Sequence, residues 1–305
     1  MEPFRVHILG CGSALPTLRH FPSMQVVECH GKLFMVDCGE GAQVQMRRSG
    51  LSFDKLGHIF ISHLHGDHCF GLIGMISTMG LLGRTATLHI HAPGELQPML
   101  KAQTDLFFNY DIGYSVEFHP VDTTSHQVIF EDRSLTVESI PLEHRMPCCG
   151  FLFREKPSLP HIRRDMIDMY GIPVSQINNI KAGQDYTLPD GTVIANANLV
   201  TPADKPRAYA YCSDTRYMSQ LHKMIEGVDT LYHESTYAKD MQNGAEKYFH
   251  STAQQAAMVA RDAHVGKLLL GHYSARYTDE TILLKEAKEI FENAFLTNEK
   301  MVFDV

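Results

Sequence analysis

The chain has 305 residues, 44% of them hydrophobic, and a formal net charge of −8. That length and apolar content suit one large domain with a substantial core, and no apolar run is long enough to span a bilayer. The seven cysteines include no CxxC pair and are odd in number, which excludes a disulfide framework. With no secretory leader evident, a cytoplasmic location is expected. The acidic balance argues mildly against a nucleic-acid binder, although electrostatic capture needs only a local basic face. Short β-prone and helical segments alternate under frequent Gly and Pro punctuation, without repeats or low-complexity tracts. That rhythm predicts an α/β fold, an αββα sandwich of two sheets with helices outside, over residues 1–305. Near the start, Arg19, Arg47 and Arg48 are candidates for a basic face, while Arg47 and Arg48 suit a helix C-terminus complementing its dipole equally well.

Next in the chain, the apolar segment 58–62 predicts a strand and 69–82 a buried helix. Between them lies His63-Leu64-His65-Gly66-Asp67-His68, four metal-competent side chains in six residues. His63 and His65, two apart in extended chain, point to one side and can converge on one cation. Gly66 permits a sharp turn that sends Asp67 and His68 to a neighbouring position. Imidazole and carboxylate ligands suit zinc, with manganese or iron as weaker candidates. The run contains no cysteine, which argues against a closed structural zinc. It reads as half of a two-metal hydrolase site.

The other half must come from elsewhere, and three strand ends offer it. His144 follows the strand-like stretch 134–140, Asp214 follows Tyr209-Ala210-Tyr211-Cys212-Ser213, and His272 follows Leu268-Leu269-Leu270-Gly271. Residues 154–190 break the sandwich rhythm and read as an inserted arm with a short amphipathic helix near 164–170. Over residues 154–181 its basic residues, Arg154, Lys156, Arg163, Arg164 and Lys181, slightly outnumber its acidic ones. His250 stands before a predicted helix at 253–260, where Ser251 and Gln254 would form a capping box and backbone N–H groups could receive a phosphate. The adjacent Cys148 and Cys149 read as small core residues rather than ligands.

The ordered set of motifs resembles the ribonuclease Z family of metallo-β-lactamase-fold hydrolases almost end to end. It comprises residues 10–17, Asp37-Cys38-Gly39-Glu40-Gly41-Ala42-Gln43, the His-rich run, Pro141-Leu142-Glu143-His144, Ser213-Asp214-Thr215, His233-Glu234-Ser235-Thr236, His250-Ser251-Thr252-Ala253 and residues 271–277. The resemblance implies a zinc-dependent endoribonuclease that removes the 3′ trailer of precursor tRNA through a hydroxide activated by two metals. The tRNA would keep a 3′-hydroxyl and the trailer a 5′-phosphate. It assigns His63, His65 and His144 to one zinc, Asp67, His68 and His272 to the other, and Asp214 to both. Manganese is the other candidate metal. It makes Asp67 a general base, and His250 the group that stabilises the phosphorane or protonates the leaving oxygen, oriented by Glu234. It implies a homodimer whose arm (154–190) grips tRNA; the sequence shows no other protein partner. Arg19, Ser251, Thr252, Arg163, Arg164 and Lys181 become candidate substrate contacts. Where relatives carry Lys-x-Arg-Asn this chain reads Leu18-Arg19-His20-Phe21, and Val174-Ser175-Gln176 stands where the family's arm is Gly-Pro-rich. The alternative reading is a phosphodiesterase or esterase of the same fold acting on a small molecule.

Overall fold

A computed structural model of the chain describes residues 2–108 and 111–305. The first half supplies β1 (Phe4–Gly10), β2 (Met24–Cys29), β3 (Lys32–Val36), β4 (Leu56–Phe60), β5 (Leu88–Ala92), β6 (Val116–Pro120), β7 (Gln127–Glu131), β8 (Leu135–Leu142) and β9 (Cys148–Glu155). An insertion carries the short strands β10 (His161–Ile162), β11 (Tyr186–Thr187), β12 (Val193–Ile194) and β13 (Val200–Thr201). The remainder supplies β14 (Ala208–Cys212), β15 (Thr230–Glu234), β16 (Lys267–Gly271), β17 (Ala294–Leu296) and β18 (Val302–Asp304). Two seven-stranded sheets form, ordered β18-β1-β2-β3-β4-β5-β6 and β17-β16-β15-β14-β9-β8-β7.

The inner faces share one core, in which Val6, Phe34 and Phe60 of the first sheet meet Phe151, Phe153 and Tyr209 of the second. Phe60 lies 5.4 Å from Phe151, ring centre to ring centre. Period-2 alternation directs these side chains inward. The opposite face of the first sheet, with Leu33, Met35, Ile59 and Ile90, is covered by Met46 of the helix Ala42–Arg48 and by Met75 and Met79 of Leu72–Leu81. Ala256, Ala257 and Ala260 of the helix Ala253–Asp262 belong to the core on the second sheet. This is the αββα sandwich.

The helix expected over 69–82 is broken into Gly66–Cys69 and Leu72–Leu81, so Asp67 and His68 stand on a short helix rather than a turn. A close backbone approach causes the break. Cys38 N–H donates to the His68 carbonyl at 2.7 Å, and Gly71 N–H donates to the Cys38 carbonyl at 2.8 Å. A Cβ on Gly39 would lie 2.5 Å from the Asp67 carbonyl, and one on Gly71 would strike the Gly39 and Cys38 carbonyls. Both positions exclude any side chain, which seats the ligand run against the end of β3.

Residues 155–206 form a compact unit of their own and run past the expected arm boundary at Asp190. Ile172, Ile180 and Leu199 make its small core. The anticipated helix is present at Arg164–Tyr170, and Val174-Ser175-Gln176 opens a second helix, Val174–Lys181, which buries Ile180.

The substitution Gly71→Ala is expected to destabilise the fold by about 1–3 kcal/mol through overpacking against backbone. Thermal unfolding of the purified variant checks this; an unchanged midpoint would mean that the ligand run is not locked to the end of β3.

Candidate active site

Strand ends gather the polar groups. His63 and His65 follow β4, His144 follows β8, Asp214 follows β14 and His272 follows β16. His63 Nε2 lies 3.0 Å from His65 Nδ1, and His144 Nε2 lies 3.2 Å from that same atom. These three and Asp214 form one group of converging ligand atoms, and Asp67, His68 and His272 form another. Asp214 reaches both, with Oδ2 3.2 Å from His68 Nε2, and Oδ1 3.3 Å from His272 Nε2 and 3.9 Å from His63 Nε2 and His144 Nε2. The seven expected ligand residues are therefore together.

Hydrogen bonds aim the imidazoles. His68 Nδ1–H donates to Asp37 at 2.7 Å, His63 Nδ1–H to Ser62 Oγ at 3.0 Å, His272 Nδ1–H to Thr236 Oγ1 at 2.9 Å and His144 Nδ1–H to the Phe249 carbonyl at 3.1 Å. In the neutral rings this leaves Nε2 as an inward lone pair, and the Nε2 atoms of His68 and His272 turn to the Asp214 and Asp67 carboxylates. Ligand nitrogens on a tetrahedral zinc lie roughly 3.3 Å apart, given bonds of about 2.0–2.1 Å. The donor set thus fits a pair of divalent cations.

Burial and the facing carboxylates set the charges of these groups. Burial lowers the pKa of His63, His65 and His144 and keeps them neutral. Burial acts in the same sense on His68, but Asp214, Asp37 and Asp67 surround it and raise it well above the ordinary value. For Asp214 and Asp67, burial opposes ionisation, yet the facing imidazoles hold both carboxyls below the usual range.

Beside this cluster, Glu234 is fully buried and accepts from Thr215 N–H at 2.6 Å, Thr236 Oγ1–H at 2.6 Å and Ser251 N–H at 3.0 Å. His250 Nδ1 is 3.1 Å from both Glu234 oxygens. Burial disfavours the imidazolium, but the Glu234 carboxylate outweighs it and raises His250 to about 9. Cavities of about 400 and 480 Å³ open on His250 and on His144, sharing the Arg216–Glu143 ion pair as a wall.

Comparison with known proteins bears on this arrangement. Residues 4–157, which carry five of the seven clustered ligand residues, match the family model described as "Anti-Pycsar protein Apyc1". A curated ribonuclease Z of Phocaeicola vulgatus is 57% identical over 305 residues, covering the whole chain and 98% of the relative. One of Bacteroides fragilis is 56% identical over 301 residues, 99% of each chain. The chain belongs to the ribonuclease Z family. It is accordingly a metal-dependent hydrolase, an endoribonuclease. Among solved structures, the short form of human tRNase Z shares the fold with TM-score 0.70 at 23% identity over 98% of both chains. The metallo-β-lactamase-fold protein YhfI of Bacillus subtilis shares it with TM-score 0.68 at 18% identity over the full length of both.

Several expected substrate contacts are engaged internally in this family member. The guanidinium of Arg19 is held by Glu280 at 2.7 Å and by the Thr278 and Tyr277 carbonyls. The capping box sits one residue later than expected, since Thr252 is the N-cap and exchanges hydrogen bonds with Gln255. Ser251 and Gln254 looked right because their spacing is the same. The N–H groups of Ser251, Thr252 and Ala253 are already donated to Glu234, Gln255 and Tyr237, and Ser251 Oγ–H goes to the Thr215 carbonyl. That helix start has little left to offer a phosphate. Arg163 pairs with Asp165 at 2.7 Å, Lys181 closes the last turn of its helix, and Arg164 is exposed. Arg47 and Arg48 lie in the last turn of Ala42–Arg48, with Arg48 over the Phe21 ring.

Asp37 is the residue whose part in the site the sequence reading missed. Its buried carboxylate accepts from Ser62 N–H at 2.8 Å, Ser62 Oγ–H at 3.0 Å, Tyr211 O–H at 2.7 Å and His68. Its place between a strand and the Gly39 turn was visible, but its partners were not. Asp37→Asn puts an amide among donors and is expected to weaken metal binding about 10–100-fold. Competition with a chromogenic chelator measures it, and wild-type affinity would remove Asp37 from the site's support.

Proposed function

We propose that this ribonuclease Z family member removes the 3′ trailer from precursor tRNA, leaving a 3′-hydroxyl on the tRNA and a 5′-phosphate on the trailer. The observation that carries the reading is Asp214 standing between two ligand groups with the His250–Glu234 pair alongside, in a chain that matches ribonuclease Z relatives over its whole length. Zinc is the proposed metal, with manganese as the substitute: His63, His65 and His144 would hold one ion, Asp67, His68 and His272 the other, and Asp214 both. When bound, the pair supplies Lewis acidity and a nucleophile at neutral pH.

The chain's own groups do the rest. Asp67 takes the proton of the attacking water. His250, positively charged at neutral pH and tied to Glu234 through Nδ1, presents Nε2–H to the phosphate and gives that proton to the departing ribose 3′-oxygen. The unit at 155–206 is proposed as the tRNA-gripping arm, with Arg164 as an exposed cation and Arg163 and Lys181 as supporting charges, in a homodimer working in the cytoplasm. Among the described residues no helix is long and apolar enough to cross a membrane.

Incubation of the zinc-loaded protein with 3′-extended precursor tRNA, with and without an encoded CCA, followed by mapping of the new 3′ end, tests the reading. A single metal-dependent cut near the acceptor end is expected; no cut together with hydrolysis of a small phosphodiester would replace it with the small-molecule reading.

Two sets of variants refine it. His250→Ala should lower kcat by roughly 10²–10⁴ with metal content unchanged, whereas Asp67→Ala should lose both rate and metal; single-turnover kinetics with metal analysis separates them, and an undiminished His250→Ala rate would refute its role. The antiparallel neighbours β9 and β14, with Arg154 opposite Ala208, allow residues 156–206 to be replaced by a short turn. That deletion should abolish precursor cleavage while barely changing turnover of a small diester.

A further inference from the structure

A second set of imidazoles lies on β4, β5 and β6, separate from the groups described above. In the parallel register His58 is opposite His89, His89 opposite Glu117, and His91 opposite His119. Side chains two apart on a strand share a face, so all five project to the inner side of the sheet at its β6 edge. His89 Nδ1 lies 3.0 Å from His119 Nε2 and 3.4 Å from a Glu117 oxygen, and the three ligand atoms lie within 4.8 Å of one another.

We propose that His89, Glu117 and His119 form an additional metal site for a late first-row divalent cation such as Zn²⁺. Two imidazoles and a carboxylate suit that class, and the two separations from His89 Nδ1, 3.0 and 3.4 Å, match ligands on one tetrahedral ion, which place donor atoms roughly 3.3 Å apart. The remaining position is open to water, because the side chains of His89 on β5 and Glu117 on the edge strand β6 are 28% and 57% exposed.

The rings behind the triad hold it in place. His58 stacks on His89 at 4.7 Å and 15°, and His91 stacks on His119 at 4.6 Å and 16°. His58 Nδ1 and His91 Nε2 are 3.1 Å apart, and His91 lies flat against Phe60 at 4.5 Å. Each triad imidazole thus rests on a second imidazole that is itself fixed. His91 is 3% exposed, and its Nδ1 has no hydrogen-bond partner, so this arrangement leaves a buried polar atom unsatisfied rather than filling the core edge with apolar side chains. Burial also lowers the pKa of His89, which keeps its ring neutral and its lone pair available.

The simpler account is two N–H···N hydrogen bonds, His89 to His119 and His58 to His91, with no cation. The full-length protein, stripped of metal with a chelator and titrated with Zn²⁺ by calorimetry and elemental analysis, decides between them. Wild type is expected to bind one more equivalent per chain than the double variant His89→Asn, His119→Asn. Glu117→Gln, at a half-exposed carboxylate whose change leaves the core intact, should weaken that equivalent by roughly tenfold or more. If the double variant does not fold, the Glu117→Gln isotherm decides alone. Identical stoichiometry and affinity in wild type and folded variants would overturn the proposal. Neither readout passes through RNA cleavage, so the result is independent of the catalytic reading.

Discussion

The carboxylate of Asp37 sits fully buried between the two sheets and collects hydrogen bonds from both, and the active site hangs on that one group. Ser62 brings the end of β4 to it, His68 brings the helix of the metal-competent run, and Tyr211 reaches across from β14 of the second sheet. A charge in that position is tolerable only while its donors are in place, since leaving a buried carboxylate uncompensated costs several kcal/mol. The strands it joins are therefore held at one relative position. The same contact sets the His68 ring so that its Nε2 faces Asp214.

Glu234 plays the matching part on the other side. The Thr236 hydroxyl donates to it while accepting from His272, so one carboxylate steadies a ring of the second ligand group and His250 together. Backbone conformation contributes as well. Asp37, Asp214, Phe249 and His272 have positive φ of 56°, 62°, 59° and 57°, and such non-glycine conformations cost on the order of 1–3 kcal/mol each. All four bear on the site: three carry its side chains, and the fourth supplies the carbonyl that orients His144. At Asp214 and His272 the left-handed residue ends the run of a strand and turns its side chain to the shared pocket. Strain is spread over the strand ends and offset by the hydrogen bonds that hold them.

The interior of the sandwich treats polar groups in two ways. At the strand ends, imidazoles meet carboxylates and their lone pairs converge. At the β6 edge of the first sheet, imidazoles meet chiefly each other, stacked along the register of parallel strands. The insertion at 155–206 has its own core of Ile172, Ile180 and Leu199, and of its helices Arg164–Tyr170 and Val174–Lys181 only Ile180 is buried. Its composition departs from the sandwich because it packs around that separate cluster.

Much of this was legible in the residues. Alternating apolar stretches ending in His144, Asp214 and His272 announced strands with ligands at their tips, because strand periodicity and chain exit are local properties. The spacing within residues 63–68 and the ordered motifs were enough for the fold class and the family. Contacts between distant segments were not legible. Gly71 breaks the expected helix because its N–H meets the Cys38 carbonyl, a contact between segments that only packing brings together. Arg19 and the N–H groups at the start of Ala253–Asp262 looked available for phosphate, yet Glu280, Glu234 and Tyr237 occupy them. The row of His58, His89, His91 and His119 is invisible until three strands lie in register. The sequence by itself determined which side chains could act and that they stand at strand ends, since both follow from local chemistry and periodicity. Tertiary structure alone decided which donors are already used and which lone pairs meet, because those depend on partners distant in the chain.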